Sequence, residues 1–367
     1  MTKPSFFDLT ISDLADELVA AGHKKFAATQ LFEWVYDRKI LDIESWTNVS
    51  KKCREWLSET YSFDLPKVIF HAKSYDGTRK FLVQFEDKQT VETVVIPARN
   101  RLTQCISSQV GCAIGCTFCH TGTQGLKRHL KPGEITGQFM SVSLWLRENV
   151  HEEERLTNIV YMGQGEPLHN YENVKKATIN FLEQKGLGLS QRKITLSTSG
   201  LVPKIKMLHD FPPVNIAISL HSAKNDTRTE LMPINKAYDL QRLFDAIKSI
   251  PLKAHRRITY EYLLIAGVND TKSDVEALNK LLDKRESKIN LIPFNEYPGS
   301  NYKKPSNDQV LWFMDQMIKK GYTCTIRATK GEDILAACGQ LKTQYEKLNL
   351  WDQSVEIRKI ENSDAQA

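Results

Sequence analysis

Long apolar stretches are absent from this sequence. No uncharged apolar run reaches about 18 residues, the length that a membrane-spanning helix needs. The first residues, MTKPSFFDLTISDLADEL, are polar and acidic, and they lack the apolar centre of a secretion signal. Internal repeats and low-complexity tracts are absent as well. We therefore expect a cytoplasmic protein that works away from membranes.

The composition is that of a folded protein with a small excess of positive charge. Of the 367 residues, 41% are hydrophobic and 26% are charged, which is normal for a globular chain. This length allows one large core with a small extra module, or two ordinary domains. The formal net charge is +6. Such an excess occurs in RNA-binding proteins and in ordinary basic proteins, so charge alone leaves both interpretations open.

Cysteine is scarce and unevenly placed. The chain has seven cysteines, an odd number that, without a secretion signal, does not predict a framework of structural disulfides. Four of the seven lie between positions 105 and 119, and this clustering indicates metal or redox chemistry. The seven are Cys53, Cys105, Cys112, Cys116, Cys119, Cys324 and Cys338.

The order of apolar patterns predicts four regions. Residues 1–62 contain three short amphipathic helices, which we interpret as an RNA-binding accessory domain. Residues 63–97 contain a linking β-hairpin, in which KFLVQFED and TVETVVIP flank a tight turn near Asp87 and Lys88. Residues 98–345 alternate strands with helices and form the core, and residues 346–367 form a disordered tail.

The alternating region predicts an α/β fold with a parallel sheet of right-handed βαβ units. Six candidate strands suggest a partial (β/α)6 barrel of the TIM type, and TCTIRAT is a last strand. In such a barrel the chemistry lies at the carboxyl ends of the strands. Several candidate strands end in polar residues, which predicts one shared active site there. The six strands are LTQCISSQV, NIVYMG, KITLSTSG, VNIAISLH, TYEYLLIAG and INLIPFN.

The strongest motif is the CxxxCxxC triplet of Cys112, Cys116 and Cys119. Three thiolates on one loop can hold three irons of a [4Fe–4S] cubane, and the fourth iron is then open to bind S-adenosylmethionine (SAM). A zinc site needs a fourth ligand, which His120, adjacent to Cys119, is poorly placed to supply. Residues 116–120 also spell the CxxCH pattern of c-type haem, but haem would leave Cys112 unexplained. Inert buried cysteines are a further alternative, which the spacing disfavours.

A second motif, GQGEP at 163–167, follows the second barrel strand. Its glycines would allow the backbone to approach a ligand closely, and its carboxylate can accept hydrogen bonds from an ammonium group. The alternative is a tight turn that carries a surface glutamate. Either interpretation places the motif at the carboxyl end of a strand, near the cysteine triplet.

Together these motifs resemble the RlmN family, the dual-specificity methyltransferases that act on carbon 2 of adenine in 23S ribosomal RNA and tRNA. The resemblance extends to about residue 350 and includes CISSQVGCAIGCTFCHTG, MGQGEPL, ITLSTSG, SLHS, LMPIN, INLIPFN and AACGQL. One departure is Gln164, where the family usually has Met. The resemblance implies a radical-SAM barrel with a [4Fe–4S] cluster and SAM as cofactors.

The resemblance also implies roles for individual residues. Cys112, Cys116 and Cys119 would bind the cluster. Cys338 would carry a methyl group as S-methylcysteine, and Cys105 would release it through a transient disulfide. Glu92 would accept a proton. The residues implied in SAM binding are Gly165, Glu166, Ser197, Ser219, Leu220, His221 and Asn295.

Several partners follow from the same resemblance. The enzyme would act on ribosomal RNA and tRNA, use two SAM molecules per turnover, and receive electrons from a donor such as flavodoxin or ferredoxin. We expect a monomer. A basic rim is the expected RNA contact, made of Arg99, Arg101, Lys127, Arg128, His129, Lys131, Lys303 and Lys304.

Two other functions fit part of the sequence. The related Cfr family methylates adenine at C8, confers ribosomal antibiotic resistance and shares most of these motifs. GEPL at 165–168 and EYPGSNY at 296–302 are closer to the C2 family. From another class, a non-catalytic RNA-binding protein with a structural metal site is also compatible with the sequence.

Overall fold

The N-terminal region is helical in the computed structural model, which describes residues 3–150, 155–252 and 256–341. Its helices are α1 (Ile11–Ala20), α2 (Ala27–Phe32), which continues as a π-helical turn, and α3 (Lys51–Thr60). A capping box starts α1, because the Thr10 hydroxyl accepts a hydrogen bond from the Asp13 amide and the Asp13 carboxylate accepts one from the Thr10 amide. The apolar faces of these helices belong to the same hydrophobic core as the rest of the chain.

The predicted strands follow in the order that the sequence predicts, but the structure has more of them. The predicted strand LTQCISSQV divides into two, and the strands at Lys67–Lys73 and Leu126–His129 were not predicted. The side chains of Lys67–Lys73 are mostly exposed or half-buried, so its sequence carries little alternation. The strands are β1 (Lys67–Lys73), β2 (Arg79–Gln84), β3 (Thr90–Ala98), β4 (Arg101–Cys105), β5 (Gln109–Gly111), β6 (Leu126–His129), β7 (Leu156–Tyr161), β8 (Ile194–Thr198), β9 (Asn215–Ser219), β10 (Ile258–Leu264), β11 (Ser287–Pro293) and β12 (Thr323–Ile326).

Ten of these strands form one mixed sheet in the order β1-β2-β3-β4-β7-β8-β9-β10-β11-β12. The pairs from β1 to β4 are antiparallel, and the pairs from β4 to β12 are parallel. The predicted hairpin is therefore β2–β3, and it continues the sheet directly into the barrel strands. β5 and β6 form a separate small antiparallel pair.

Helices connect the parallel strands and cover the sheet. The predicted helices at 134–147, 171–184 and 240–250 correspond to α4, α5 and α8. The helices of this region are α4 (Pro132–Asn149), α5 (Tyr171–Leu182), α6 (Val202–Ile205), α7 (Asn225–Leu231), α8 (Leu240–Ile247), α9 (Lys272–Leu281) and α10 (Asn307–Lys319).

The sheet has β1 and β12 at its two edges, so the barrel is partial. The predicted α/β class, with a partial barrel, a helical N-terminal region and a hairpin, is confirmed. Among the described residues, no helix combines the length and the apolar character that crossing a membrane requires. The predicted tail at 346–367 lies outside the described residues.

Candidate active site

The three cysteines of the CxxxCxxC motif lie on the loop between β5 and β6. Gly111, which precedes Cys112, has a φ of +77°, and a Cβ atom there would lie 1.8 Å from the Gly125 carbonyl oxygen. Only glycine fits at that point. The Cys112 amide donates a hydrogen bond to the same oxygen at 2.9 Å. Backbone contacts of Gly111 and Gly125 thus close the base of the cysteine loop.

The three thiols are close enough to repel one another as thiolates. Burial raises the pKa of Cys112 to about 12, and Glu166 and Cys119 add repulsion. Burial also raises the pKa of Cys116 and Cys119. Three such thiolates need cations among them, which the irons of a cubane supply, one iron to each sulfur. In the part of the chain that the structure describes, no three His, Cys, Asp or Glu side chains are arranged to hold a single metal ion. Three thiols on one loop, each able to bind one iron, are a donor set that fits the cluster.

Loops from other strands hold the cysteine loop in place. The Thr117 amide donates a hydrogen bond to the Leu231 carbonyl oxygen at 3.0 Å, and the Thr117 hydroxyl lies 2.8 Å from the Tyr302 hydroxyl. The His120 ring stacks on the Tyr297 ring, with centroids 4.6 Å apart. These contacts fix the loop through residues far from it in the sequence, which pre-organises the thiols.

The glycines of GQGEP pack against protein backbone. A Cβ atom at Gly163 would lie 2.7 Å from the Ser107 amide nitrogen, and one at Gly165 would lie 2.6 Å from the Gln109 Cβ. Gly165 also has a φ of +99°. These glycines therefore have a packing role that the sequence interpretation did not include, and their close approach to a ligand stays a prediction. They let the turn pack on the segment that links β4 to the cysteine loop.

Glu166 is buried, so the alternative of a surface glutamate is excluded. Its carboxylate accepts hydrogen bonds from the Leu168 amide at 3.0 Å and from the Ser199 amide at 2.7 Å. Burial raises its pKa, and the hydrogen bonds from Ser199 and Leu168 act in the opposite direction. Glu166 is also within electrostatic reach of Cys112 and Cys116. A carboxylate held beside the cluster loop fits the ammonium group of SAM.

The residues implied in SAM binding lie at the carboxyl ends of neighbouring strands. Ser197 is in β8, Ser219 ends β9, and Leu220 and His221 follow it. The fully buried Arg228 ties these strand ends together. It donates hydrogen bonds to the carbonyl oxygens of Ser199, Ser219 and Leu220 at 2.8, 3.3 and 3.1 Å.

His221 and Asn295 are engaged with protein groups. The His221 Nδ1 accepts a hydrogen bond from the Leu263 amide at 3.0 Å, so its imidazole is neutral. Burial lowers the His221 pKa to about 3, and Arg228 contributes. Asn295 donates to the Cys338 carbonyl oxygen at 3.2 Å and accepts from the Thr329 hydroxyl at 3.0 Å. Asn295 thus links the end of β11 to the Cys338 loop.

Cys105 and Cys338 line one cavity of about 1180 Å³ inside the barrel. Cys105 ends β4 and is buried, whereas Cys338 is half-buried on the loop after β12, and both are free thiols. Burial raises the pKa of Cys105, and Cys338 adds repulsion, which places the two sulfurs near each other. The predicted pairing of two cysteines 233 positions apart in sequence is thus geometrically possible. Cys53 and Cys324 are buried away from this pair, as small core residues.

Arg327 is the cation beside this thiol pair. Its pKa is raised, first by Cys338 and also by Glu261 and Cys105. Its Nη1 lies 3.3 Å from the Met162 sulfur. Glu261 lies on β10 and accepts a hydrogen bond from the Asn290 amide group at 2.9 Å. Sequence reasoning missed both charged residues.

Glu92 is 3% exposed, which excludes the alternative that it faces solvent from a strand. Its carboxylate lies 3.2 Å from the Lys80 ammonium. Lys80 also donates a hydrogen bond to the Leu335 carbonyl oxygen at 3.4 Å, three residues before Cys338. Glu92 therefore lies near the loop that carries the predicted methyl carrier. It does not line the described cavity.

Gln164, the departure from the family pattern, is fully buried. Its side-chain oxygen accepts a hydrogen bond from the Glu92 amide at 3.2 Å. Its side-chain nitrogen donates to the Gln124 side-chain oxygen at 3.4 Å, just after the cysteine loop. Gln164 thus connects the strand of Glu92 with the cluster loop, in place of an apolar side chain.

The expected basic rim is only partly available for RNA. Arg128 pairs with Asp87 at 2.6 Å and with Glu134 at 2.7 Å, so it joins the hairpin turn to α4. Lys303 pairs with Glu296 at 3.2 Å and Lys304 pairs with Glu332 at 3.6 Å. These three cations already have carboxylate partners, which weakens the prediction that they bind phosphates.

Comparison with known proteins agrees with this geometry. The sequence profile of the Radical SAM superfamily matches residues 106–282, and that of the Ribosomal RNA large subunit methyltransferase N-terminal domain matches residues 5–62. The Dual-specificity RNA methyltransferase RlmN of Rhodopseudomonas palustris is 44% identical over 364 residues, which cover 95% of this chain and 91% of that protein. The chain belongs to the RlmN family.

Other relatives support the assignment to the RlmN family. The Dual-specificity RNA methyltransferase RlmN of Bdellovibrio bacteriovorus is 44% identical, covering 95% of this chain and 86% of that protein. A solved radical SAM methyltransferase from Sphaerobacter thermophilus superimposes with a TM-score of 0.85 at 38% identity, covering 92% of this chain and 99% of that chain. The predicted family and enzyme class are confirmed: the chain is a radical SAM RNA methyltransferase, whose family implies a [4Fe–4S] cluster, SAM and an RNA substrate.

Proposed function

We propose that this RlmN-family enzyme methylates carbon 2 of a specific adenosine in 23S ribosomal RNA and in tRNA. The observation that carries the proposal is that Cys105 and Cys338 line one cavity with Arg327 beside them. Carbon 2 of adenine is an electrophilic ring carbon without a lone pair, so it cannot attack the methyl group of SAM directly. A pair of thiols beside a radical-generating site offers another route.

Cys338 is the proposed methyl carrier. Bound together, the cluster and two SAM molecules per turnover supply the methyl group and a 5′-deoxyadenosyl radical that can remove a hydrogen atom from a methyl carbon. The Cys338 thiolate, formed by loss of its proton, takes the methyl group of one SAM as a thioether and would release S-adenosylhomocysteine. Arg327 places a positive charge near the sulfur that acts as nucleophile. Asn295 fixes the backbone of Cys338 through its carbonyl oxygen. The carbon on Cys338 then forms a bond with adenine C2.

Glu92 and Cys105 complete the proposed reaction. Loss of the C2 proton to Glu92 and of one electron, which would return to the oxidised cluster, restores the aromatic ring in the protein–RNA adduct. Cys105 then attacks the Cys338 sulfur, so that a disulfide forms, the sulfur–carbon bond breaks, and the carbon takes up a proton as the new methyl group. Burial, which raises the pKa of Cys105, keeps this thiol protonated and unreactive until that step.

The remaining expectations are part of this proposal. Residues 1–62 act as an RNA-binding accessory domain, residues 63–97 link it to the catalytic core at 98–345, and residues 346–367 form a tail. The enzyme acts as a monomer. Flavodoxin or ferredoxin is the proposed electron donor, and the cytoplasm is the proposed location.

Nucleoside analysis tests the proposed function. The purified, anaerobically reconstituted enzyme is incubated with SAM, a reductant and either ribosomal RNA or tRNA, both from cells that lack the modification. We expect 2-methyladenosine in both RNAs by mass spectrometry. Only 8-methyladenosine would instead support the C8 reaction. Absence of bound iron and of deoxyadenosine release would support the non-catalytic RNA-binding alternative.

A further inference from the structure

The barrel cavity carries a strong excess of positive charge at the amino ends of the parallel strands. Arg101 begins β4, Lys193 immediately precedes β8, Arg257 immediately precedes β10, and Lys288 is the second residue of β11. Parallel strands start at the same edge of a sheet, so these cations gather at one mouth of the barrel. The full set, here called the amino-end cations, is Arg101, Arg192, Lys193, Arg256, Arg257 and Lys288.

Strand alternation connects this mouth to the thiols. Successive side chains of a strand point to opposite faces, so Arg101, Thr103 and Cys105 share the inner face of β4. All three line the cavity. The four-residue step from Arg101 to Cys105 rises by roughly 13 Å. A cation at the amino end therefore lies one strand length from the proposed release thiol.

Within the described residues, none of the amino-end cations forms a salt bridge with a carboxylate, although Lys288 is within electrostatic reach of Glu261. Two of them donate side-chain hydrogen bonds to neutral groups: Arg256 to the Pro213 carbonyl oxygen and Arg257 to the Thr323 hydroxyl. Glu261 is the one carboxylate among the described residues that line the cavity. Six cations held at one mouth repel one another, and a polyanion would relieve that repulsion.

The opposite mouth is covered by protein. The His120 amide donates a hydrogen bond to the Gly339 carbonyl oxygen at 2.7 Å, and the Thr121 hydroxyl donates to the Leu341 carbonyl oxygen at 2.6 Å. The Gln340 side chain donates to the Glu296 carbonyl oxygen at 2.8 Å. These bonds lay the Cys338 loop across the carboxyl ends of the strands, against the cluster loop.

We propose that the substrate RNA docks at the amino ends of the parallel strands, where the amino-end cations bind its phosphates. The target adenine leaves its stack and reaches Cys338 through the cavity, while the cluster and SAM act from the carboxyl side. The inference rests on the proposed function for the nature of the polyanion. Of the predicted rim, only Arg101 belongs to this surface, and Lys303 and Lys304 of that rim are already paired with carboxylates.

A charge-neutralisation series tests this surface. The reconstituted enzyme, its Arg192→Gln, Lys193→Gln double variant and its Arg257→Gln variant are titrated against fluorescein-labelled tRNA at several salt concentrations. The logarithm of the RNA association constant falls with log salt, and each lost phosphate contact makes this negative slope shallower by about 1. We therefore expect the slope to become shallower by about 2 in the double variant and by about 1 in Arg257→Gln. We also expect KM for RNA to rise while kcat at saturating RNA is retained.

Two matched variants separate this surface from net charge and from the rim. Lys272→Gln, Lys280→Gln neutralises two exposed cations on α9, and Lys303→Gln, Lys304→Gln neutralises the paired rim. Both should leave the salt slope unchanged. An unchanged slope in both amino-end variants, or equal losses in the α9 variant, would overturn the proposal. Iron content and RNA-independent deoxyadenosine release must stay at the wild-type level in all variants. If both are absent from every protein, the wild-type enzyme included, that result would instead contradict the proposed function.

Discussion

The Lys80 ammonium lies 3.2 Å from the Glu92 carboxylate, inside the protein. The same ammonium reaches the Leu335 carbonyl oxygen at 3.4 Å, so one cation joins the hairpin strand of Glu92 to the loop of Cys338. This arrangement positions a carboxylate near the methyl-carrying loop without placing it in the cavity lining. It gives Glu92 two separable roles, as half of an ion pair and as a proton acceptor.

The first prediction separates these roles. Glu92→Gln should lower 2-methyladenosine formation by about 100-fold or more, the usual loss when a general base is removed. Deoxyadenosine should still be released from SAM, because the radical step precedes the proton transfer. Quantifying both products in one single-turnover reaction tests this prediction. Lys80→Met is the matched control, since it breaks the ion pair but keeps the carboxylate. If Lys80→Met loses as much product as Glu92→Gln, the ion pair and not the base explains the effect.

Arg327 should make Cys338 reactive. The Arg327→Gln substitution removes the positive charge beside the Cys338 sulfur. Thiols react more slowly when a neighbouring positive charge is lost. We expect slower carbamidomethylation of Cys338 by iodoacetamide at pH 7.5, measured by peptide mass spectrometry, and partial recovery of the rate in Arg327→Lys. Cys324 in the same sample is the internal control. Identical labelling rates for Cys338 in all three proteins would contradict the assignment.

The Gly165 turn should be intolerant of any side chain. Gly165→Ala combines a φ of +99° with a Cβ contact of 2.6 Å to Gln109, whereas Gly188→Ala has a φ of +62° and no atom within 4 Å. The backbone strain costs about 1–2 kcal/mol in each variant, and the clash adds about 1–3 kcal/mol in Gly165→Ala alone. Urea unfolding should therefore show a larger loss of stability in Gly165→Ala. Equal losses would indicate that the turn relaxes away from Gln109.

His71 should make the fold sensitive to mild acid. Burial, with help from Arg79 and Lys73, lowers the His71 pKa to about 4, against an ordinary value of 6.5. Between pH 6.5 and pH 4, His71 therefore binds a proton in the unfolded chain but not in the folded chain. The free energy of unfolding falls as the pH drops through this range, by up to about 1.4 kcal/mol per pH unit. Thermal unfolding of His71→Phe between pH 4 and pH 7 should show a shallower decline than the wild-type chain. Parallel curves would exclude this contribution.

Short-range patterns predicted much of the fold and the site. The CxxxCxxC spacing is a property of a single segment, so the cysteine loop that follows a strand could be predicted from the sequence. The GQGEP motif was located correctly, but its glycines pack on Ser107 and Gln109, and nothing in a five-residue motif specifies which neighbour it touches.

Contacts between distant segments could not be predicted in this way. Arg327 stood in a predicted strand, and strand alternation does not say which thiols face it across the barrel. Lys80, which pairs with Glu92, donates a hydrogen bond to Leu335, 255 positions further along the chain. Arg228 lay beside the LMPIN motif, yet its burial depends on carbonyl oxygens at the ends of β8 and β9. The carboxylate partners of the predicted rim, Asp87, Glu134, Glu296 and Glu332, could not be predicted, because tertiary packing decides which charges pair.

The most direct test of the account is a search for a covalent protein–RNA adduct. Cys105→Ala and Cys338→Ala enzymes are each incubated with SAM, reductant and radiolabelled tRNA, and the products are separated under denaturing conditions. Because Cys338 forms the bond to adenine and Cys105 breaks it, Cys105→Ala should accumulate the adduct and Cys338→Ala should form none. Normal 2-methyladenosine turnover by both variants, without adduct, would contradict methyl transfer through a methylated cysteine.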